Sequence, residues 1–328
     1  MRKFKSLWTA AMAGMVVAAM PSLSQPAHAA EKPVAVKVGL LKAAATLPVL
    51  LAAEKEMFAK NGISVEVITL NNGPAITSAL MNGVIDVGFA ATTAVATAKD
   101  SNQAVRMFAP SEIEANDKAS IWLVASKASN IKSIRDLAGK TLAMNAVGGQ
   151  CEVLLLAHMA AAGMAKGEIK TIILPFPQIF AAVQLNNAEA GCVIEPFYSM
   201  MMKDEKFTGA KVVTGTFPNL PNGARTLLDG YFAREDWLQK NGDTAAKFAA
   251  TVVEANRKLS EDKALSASMI QKHLKVSPTI AATIMPHFET KSPVIPQSEV
   301  EPSIDLMKKL GLIKGTFTAA DITFTAKQ

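Results

Sequence analysis

The chain has 328 residues, half of them hydrophobic, 19% charged, with a formal net charge of +6. That length exceeds one ordinary core and favours two lobes, and the apolar content excludes long disorder. Past residue 30 no apolar run reaches the roughly 18–20 residues of a membrane span. No cluster of Lys and Arg forms a phosphate-tracking stripe, so nucleic acid is not an expected partner.

Residues 1–29 read as a secretory signal peptide. Arg2, Lys3 and Lys5 make a basic start, residues 7–20 are apolar, Pro21 breaks the run, and Ala27-His28-Ala29 offers small residues for cleavage after Ala29. Removing those three bases leaves a net charge of about +3. Export would place Cys151 and Cys192 in an oxidising compartment. Counted along a strand at about 3.3 Å per residue, they come out near or past the roughly 7 Å Cα limit, so they are expected to remain unbonded.

In chain order, residues 36–41 form an apolar strand and 42–46 a loop. Leu47, Leu50, Leu51, Met57 and Phe58 recur at helical spacing up to Asn61-Gly62. A strand follows at 63–70, a turn at 71–74, a short helix carrying Ile76, Ala79 and Leu80, and a strand at 84–89. Residues 121–125 are a further strand. The first order then returns: strand 141–145, Gly-containing loop 146–150, helix to Gly163, strand 169–174, turn 175–177, helix 179–185, strand 190–194. The third unit repeats at an offset of 104 residues, which sets Ile76 against Phe180 and Gly83 against Asn187. Strands at 211–214 and 227–233 and an amphipathic helix at 244–259 follow, then Pro-broken helices.

Two βαβ series predict an α/β protein: two lobes, each a mostly parallel sheet flanked by helices. The expected boundaries are 30–121 with 224–328 for the first lobe and 122–223 for the second. The crossings at 119–126 and 215–226 are the hinge candidates.

In such sheets ligands bind beyond the carboxyl ends of the strands. Helix starts there are expected to leave backbone N–H groups free for an anionic or acceptor group. Thr46 and Thr92 are candidate ligand donors or helix caps. Asn72 is a contact or a turn residue. Asn145 and Gln150 flank Gly148-Gly149, where backbone approaches a ligand closely. Phe176 and Tyr198 either stack on a ring or belong to the core. Lys42 neutralises an anion or is solvated, and Arg225 could reach in from the second crossing. Glu195 ends a buried strand and needs a partner, either a ligand or the protein's own backbone. The first lobe is expected to face it with only Ala90, Ala91 and Thr92. No HExxH, Cys/His cluster or GxSxG occurs, so no metal, cofactor or catalytic residue is expected.

The runs Ala52-Ala53-Glu54-Lys55-Glu56-Met57-Phe58 with Asn61-Gly62-Ile63, Ala79-Leu80-Met81-Asn82-Gly83-Val84-Ile85-Asp86-Val87-Gly88, Asp136-Leu137-Ala138-Gly139-Lys140 and Glu195-Pro196 resemble one family of proteins. It is the family of periplasmic solute-binding proteins of the taurine, nitrate and aliphatic-sulfonate type, with binders of thiamine-pyrimidine precursors among its members. The resemblance, over about residues 36–260, implies the type II periplasmic-binding arrangement. It also implies a monomer that carries a small-molecule ligand to an ABC importer, a permease with its ATPase. Where that family carries Gly-Ser this chain has Gly148-Gly149-Gln150-Cys151, which removes a hydroxyl donor and counts against sulfonate and nitrate. The rival expectation is an enzyme on the same scaffold acting on a pyrimidine-like precursor, which would need activated residues converging in the cleft.

Overall fold

The computed structural model describes residues 32–115, 119–203, 211–214 and 225–325. The signal-peptide reading of 1–29 and most of the second crossing, 215–224, lie outside the described residues. From the N-terminal side come β1 (Val34–Leu40), α1 (Leu47–Glu54), α2 (Met57–Lys60), β2 (Ile63–Thr69), α3 (Gly73–Met81), β3 (Val87–Ala91) and α4 (Thr92–Asp100). β4 (Val105–Pro110), β5 (Ile113–Ala115) and β6 (Ile121–Ala125) lead to the second series. That series is β7 (Thr141–Met144), α5 (Gln150–Ala161), β8 (Lys170–Ile173), α6 (Phe176–Gln184), β9 (Ala190–Ile194), α7 (Phe197–Lys203) and β10 (Lys211–Thr214). β11 (Arg225–Leu227), β12 (Asp229–Arg234), α8 (Glu235–Lys240) and α9 (Gly242–Glu261) follow, before shorter helices.

The strands form two five-stranded sheets, ordered β2-β1-β3-β12-β4 and β8-β7-β9-β6-β10. In each, the strand fourth in that order runs against its neighbours: β12 in the first, β6 in the second. Those two strands are exchanged, since β6 precedes the second series and β12 follows it. An antiparallel ribbon, β5 with β11, pairs Ile113 with Leu227 and Ala115 with Arg225; β5 lies ahead of the first crossing expected at 119–126, most of which is β6. The repeat is visible in strand ends: β1 and β7 close at Leu40 and Met144, β2 and β8 at Thr69 and Ile173, each pair 104 residues apart.

Local chemistry explains where the expected boundaries shift. The helix expected from Leu47 to Asn61 is two helices, because Glu56 adopts a left-handed conformation (φ 53°) between them. The strand expected at 84–89 begins only at Val87, since the Val84 and Ile85 N–H groups both donate back to Ala79 O after Gly83 turns the chain (φ 69°). In the second series the left-handed residue is Asn186 (φ 58°), so Gly83 corresponds to Asn186 and not to Asn187.

Cys151 and Cys192 form a disulfide with Cα atoms 5.8 Å apart, which corrects the expectation that they stay unbonded. The distance does not run along a strand. A side chain at Gly191 would meet Ile179 and Val183 of α6, so alternation turns Cys192 to the other face of the sheet. The first turn of α5 delivers Cys151 there.

The first sheet is packed by α9, where Phe248 stacks on Phe58 at 4.9 Å and meets Tyr231 edge-on at 5.4 Å. Each such fully buried aromatic contributes about 1.5–3 kcal/mol of transfer free energy. The chain end returns to this sheet as well: Phe324 N donates to Met107 O on β4.

Candidate functional site

The carboxyl ends of β1, β3, β7 and β9 turn toward one cleft, and so do the end of β4 and the starts of the reversed strands β6 and β12. The halves touch across it. Ala44 N donates to Glu195 O at 3.1 Å, and Thr97 Oγ1 on α4 donates to Gly148 O at 3.0 Å. Gly148 meets that contact for two reasons: its φ is +70°, and a Cβ would lie 2.8 Å from Thr97 Cγ2.

The cleft holds two chambers that share Phe89, Gln150, Ile194 and Asp229 in their walls. One, about 510 Å³, lies between α3, α4 and the start of α5. Asn145, Gly148, Gln150 and Phe176 line it, together with Thr77 and Gln103. Asp229 is its one charged wall residue among the described residues. The other chamber, about 450 Å³, is lined by three acids, Glu112, Glu195 and Asp229, and by Trp122 and Tyr198. Trp122 and Tyr198 stack with centroids 4.0 Å apart and planes within 10°.

Six of the expected residues therefore meet the cleft: Asn145, Gly148, Gln150 and Phe176 in the first chamber, Glu195 and Tyr198 in the second, with Gln150 in both. Phe176 also stacks on Phe197 at 6.1 Å. The other four are placed elsewhere. Thr46 is buried and its hydroxyl donates to Leu41 O and Ala43 O. Thr92 is buried and donates to Leu227 O at 2.7 Å. Asn72 caps α3 by accepting from Ala75 N, and Lys42 is exposed and outside both walls. Arg225 is held by Glu289 and Glu299.

Four of the amides at these helix starts are taken by the chain itself. Ala75 N goes to Asn72, Thr92 N to Leu228 O, Gly148 N to the Glu152 carboxylate at 2.7 Å, and Ser199 N to Glu195. Glu152 sits in the first turn of α5, where its negative charge suits the helix N-terminus.

Glu195 itself accepts from Ser199 N at 3.1 Å and from Ser199 Oγ at 2.8 Å. Burial nevertheless pushes its pKa up to about 7, against the lowering effect of those two bonds. The expectation that only small residues face it is corrected by two acids. Glu112 follows β4 and Asp229 opens β12, and both residues are 7% exposed. Asp229 Oδ1 accepts from Glu112 N at 3.0 Å, and burial raises its pKa to about 7. Burial raises Glu112 well above the carboxylate range, and the charges of Asp229, Glu195 and Glu114 raise it further. Both acids were legible as odd residues: Asp229 interrupts Leu227-Leu228 and Tyr231-Phe232-Ala233, and Glu112 follows an apolar segment ending in Ala109-Pro110. β4 was not expected as a strand, and the entry end of a reversed strand was not counted as cleft-facing.

A family model described as "NMT1-like family" matches residues 29–272. The chain belongs to the NMT1-like family. The Taurine-binding periplasmic protein of Escherichia coli (strain K12) is 26% identical over 211 residues, 64% of this chain and 62% of that one. The chain thus spans under two thirds of that relative. The Putative aliphatic sulfonates-binding protein of the same strain is 25% identical over 285 residues, 83% of this chain and 82% of the relative. Among solved structures, the alkanesulfonate-binding protein SsuA from Xanthomonas axonopodis pv. citri, bound to MOPS, superimposes with a TM-score of 0.76. It is 18% identical, and the match covers 90% of this chain and 99% of that one. The fold of this NMT1-like chain is accordingly the type II periplasmic-binding arrangement, with its exchanged reversed strands in both sheets.

Proposed function

We propose that this chain is an exported solute-binding protein that captures a small organic solute between two lobes and delivers it to an ABC importer. The observation that carries the reading is the cleft, enclosed by strand ends of both sheets and bridged by Ala44–Glu195 and Thr97–Gly148. A solute contacting both sides favours the closed state by its differential affinity. The lobes are residues 30–121 with 224–328, and residues 122–223. Residues 1–29 are a signal peptide, the mature chain works in the periplasm as a monomer, and its partners are the permease with its ATPase. A relative named as a taurine-binding periplasmic protein and one named as a putative aliphatic sulfonates-binding protein support this assignment. Asn145, Gly148, Gln150, Phe176, Glu195 and Tyr198 are the contacts carried forward. Binding requires no covalent step.

Native mass spectrometry of protein recovered from the periplasm without denaturation tests the reading. The expected result is a chain beginning at residue 30 that carries one small molecule. A chain that retains Met1 refutes export, and a chain that binds no small molecule refutes capture.

A further inference from the structure

Glu112 and Asp229 come from strands that the βαβ repeat does not include. Each side chain is more than nine-tenths buried, and each lines the 450 Å³ chamber. Asp229 Oδ1 accepts from the Glu112 amide, and the Glu112 carboxyl sits buried beside the charges of Asp229, Glu195 and Glu114. Glu195 stands across from them with both oxygens engaged by Ser199. Lys203, an exposed residue on the rim, is the one Lys or Arg in the described wall. Buried carboxylates without counter-charge are costly, and a chamber that holds them open toward a cavity has a place for a positive partner.

The same chamber carries the Trp122–Tyr198 stack, whose π-face attracts a cation and accepts a flat or methylated body. The small residues Ala44 and Ala45 also line this chamber. A metal ion is a poor fit, because no group of three or more His, Cys, Asp or Glu side chains among the described residues is arranged to hold one. An anion is poorer still: the helix-start amides Gly148 N and Ser199 N are bonded to the chain's own carboxylates.

We infer that the acidic chamber takes an organic cation, an amine, amidinium or quaternary ammonium head held by Glu112 and Asp229, with its body against Trp122 and Tyr198. This rests on the solute-binding reading and names its ligand class. It separates the chain from the relative named for aliphatic sulfonates. The raised pKa of the three acids, through burial and mutual repulsion, agrees with a site whose charge is completed by its ligand.

Thermal melts at pH 8 test it with benzamidine, benzylamine and choline as cations and with benzenesulfonate, methanesulfonate and nitrate as the contrasting set. Each is used at about 10 mM, enough to stabilise a site of millimolar affinity. At least one of the three cations should raise the melting temperature of the wild type. Calorimetry with that cation should show affinity falling about tenfold or more in Glu112→Gln and in Asp229→Asn. Glu112→Gln should at the same time melt no lower than wild type without ligand, because it removes a repelling buried acid. No shift with any of the three cations overturns the inference, as does a cation whose affinity both variants preserve. A shift with an anion alone overturns it while leaving the solute-binding reading standing. Silence with both sets, together with no co-purified molecule, removes both.

Discussion

The two chambers of the cleft are similar in volume, about 510 and 450 Å³, and opposite in chemistry. The first is walled mainly by small, apolar and amide side chains with Asp229 at the shared wall, the second by three acids and an aromatic stack. They also differ in origin. The neutral chamber is built mainly by elements of the repeated series, α3, the end of β3, and the loop from β7 into α5. The acidic chamber depends on parts outside the repeat: the end of β4, the start of β12 and the start of β6. In this chain the repeated scaffold supplies the contacts that bridge the cleft and Glu195, and the parts added to it supply Glu112 and Asp229.

The largest expected effect falls on the shared wall. Cys151 lines the neutral chamber next to Gln150, which borders both, and its bond to Cys192 fixes the first turn of α5 on the second sheet. A crosslink spanning 41 residues restricts the unfolded chain by about 4 kcal/mol in the loop-entropy account. Cys151→Ser with Cys192→Ser should lower the unfolding free energy by about 2–5 kcal/mol in a denaturant titration. A loss that small-molecule binding restores would mean α5 is placed by the ligand as much as by the disulfide. An unchanged midpoint would mean that α5 packing alone fixes this wall.

The repeat was readable because its signals are local: apolar periodicity, turn residues and Gly or Asn at helix ends, returning after 103 or 104 residues. The loops that follow its strands could be placed at a cleft, and Asn145, Gly148, Gln150 and Phe176 were found there. What was not readable is non-local. Nothing near Glu112 or Asp229 in the sequence indicates that β4 and β12 are neighbours in one sheet, or that Asp229 will accept from the Glu112 amide. Thr46 and Thr92 show the reverse. A hydroxyl at a helix start reads as a ligand donor or as a cap, and here both hydroxyls close loops onto main-chain carbonyls.

The acidic chamber should also give the unliganded protein a pH dependence that the neutral chamber does not. Asp229 and Glu195 have folded pKa values of about 7, above the ordinary carboxylate values of the unfolded chain. Between about pH 4 and 7 the folded state therefore binds more protons than the unfolded state, and stability falls as pH rises through that window. Glu112 and Glu114, raised by burial, act in the same direction, and so does the charge they place on one another. Lys203 and His287 also border the chamber, and Tyr231 lies beneath it with its hydroxyl pushed up by burial. Melts from pH 5 to 8 should show a decline of several degrees, about 2–4 °C for each kcal/mol in a chain of this size. Asp229→Asn should flatten it. A melting temperature that rises over the same interval would show that these acids are not held as buried, repelling groups.

The smallest effect separates the role of Glu195 from that of the acids facing it. Its carboxylate has two donors, Ser199 N and Ser199 Oγ, whereas the Glu112 carboxyl sits buried beside the charges of Asp229, Glu195 and Glu114. Ser199→Ala removes one donor and keeps the other, so stability should fall by only about 0.5–1.5 kcal/mol. Losing a bond to the charged form lifts the Glu195 pKa further above 7, and the midpoint at which affinity for a bound cation rises with pH should move up with it. Thr97→Val is the matched change in the neutral chamber: it removes the donor to Gly148 O, with a similar cost in free energy and no titrating group affected. Calorimetric titrations of both variants across pH 5–9 separate the cases. An upward shift in Ser199→Ala alone means that Glu195 faces the bound molecule as a charge. Equal, pH-independent losses in both variants mean that Glu195, like Thr97, holds the walls of the cleft together and leaves the charge to Glu112 and Asp229.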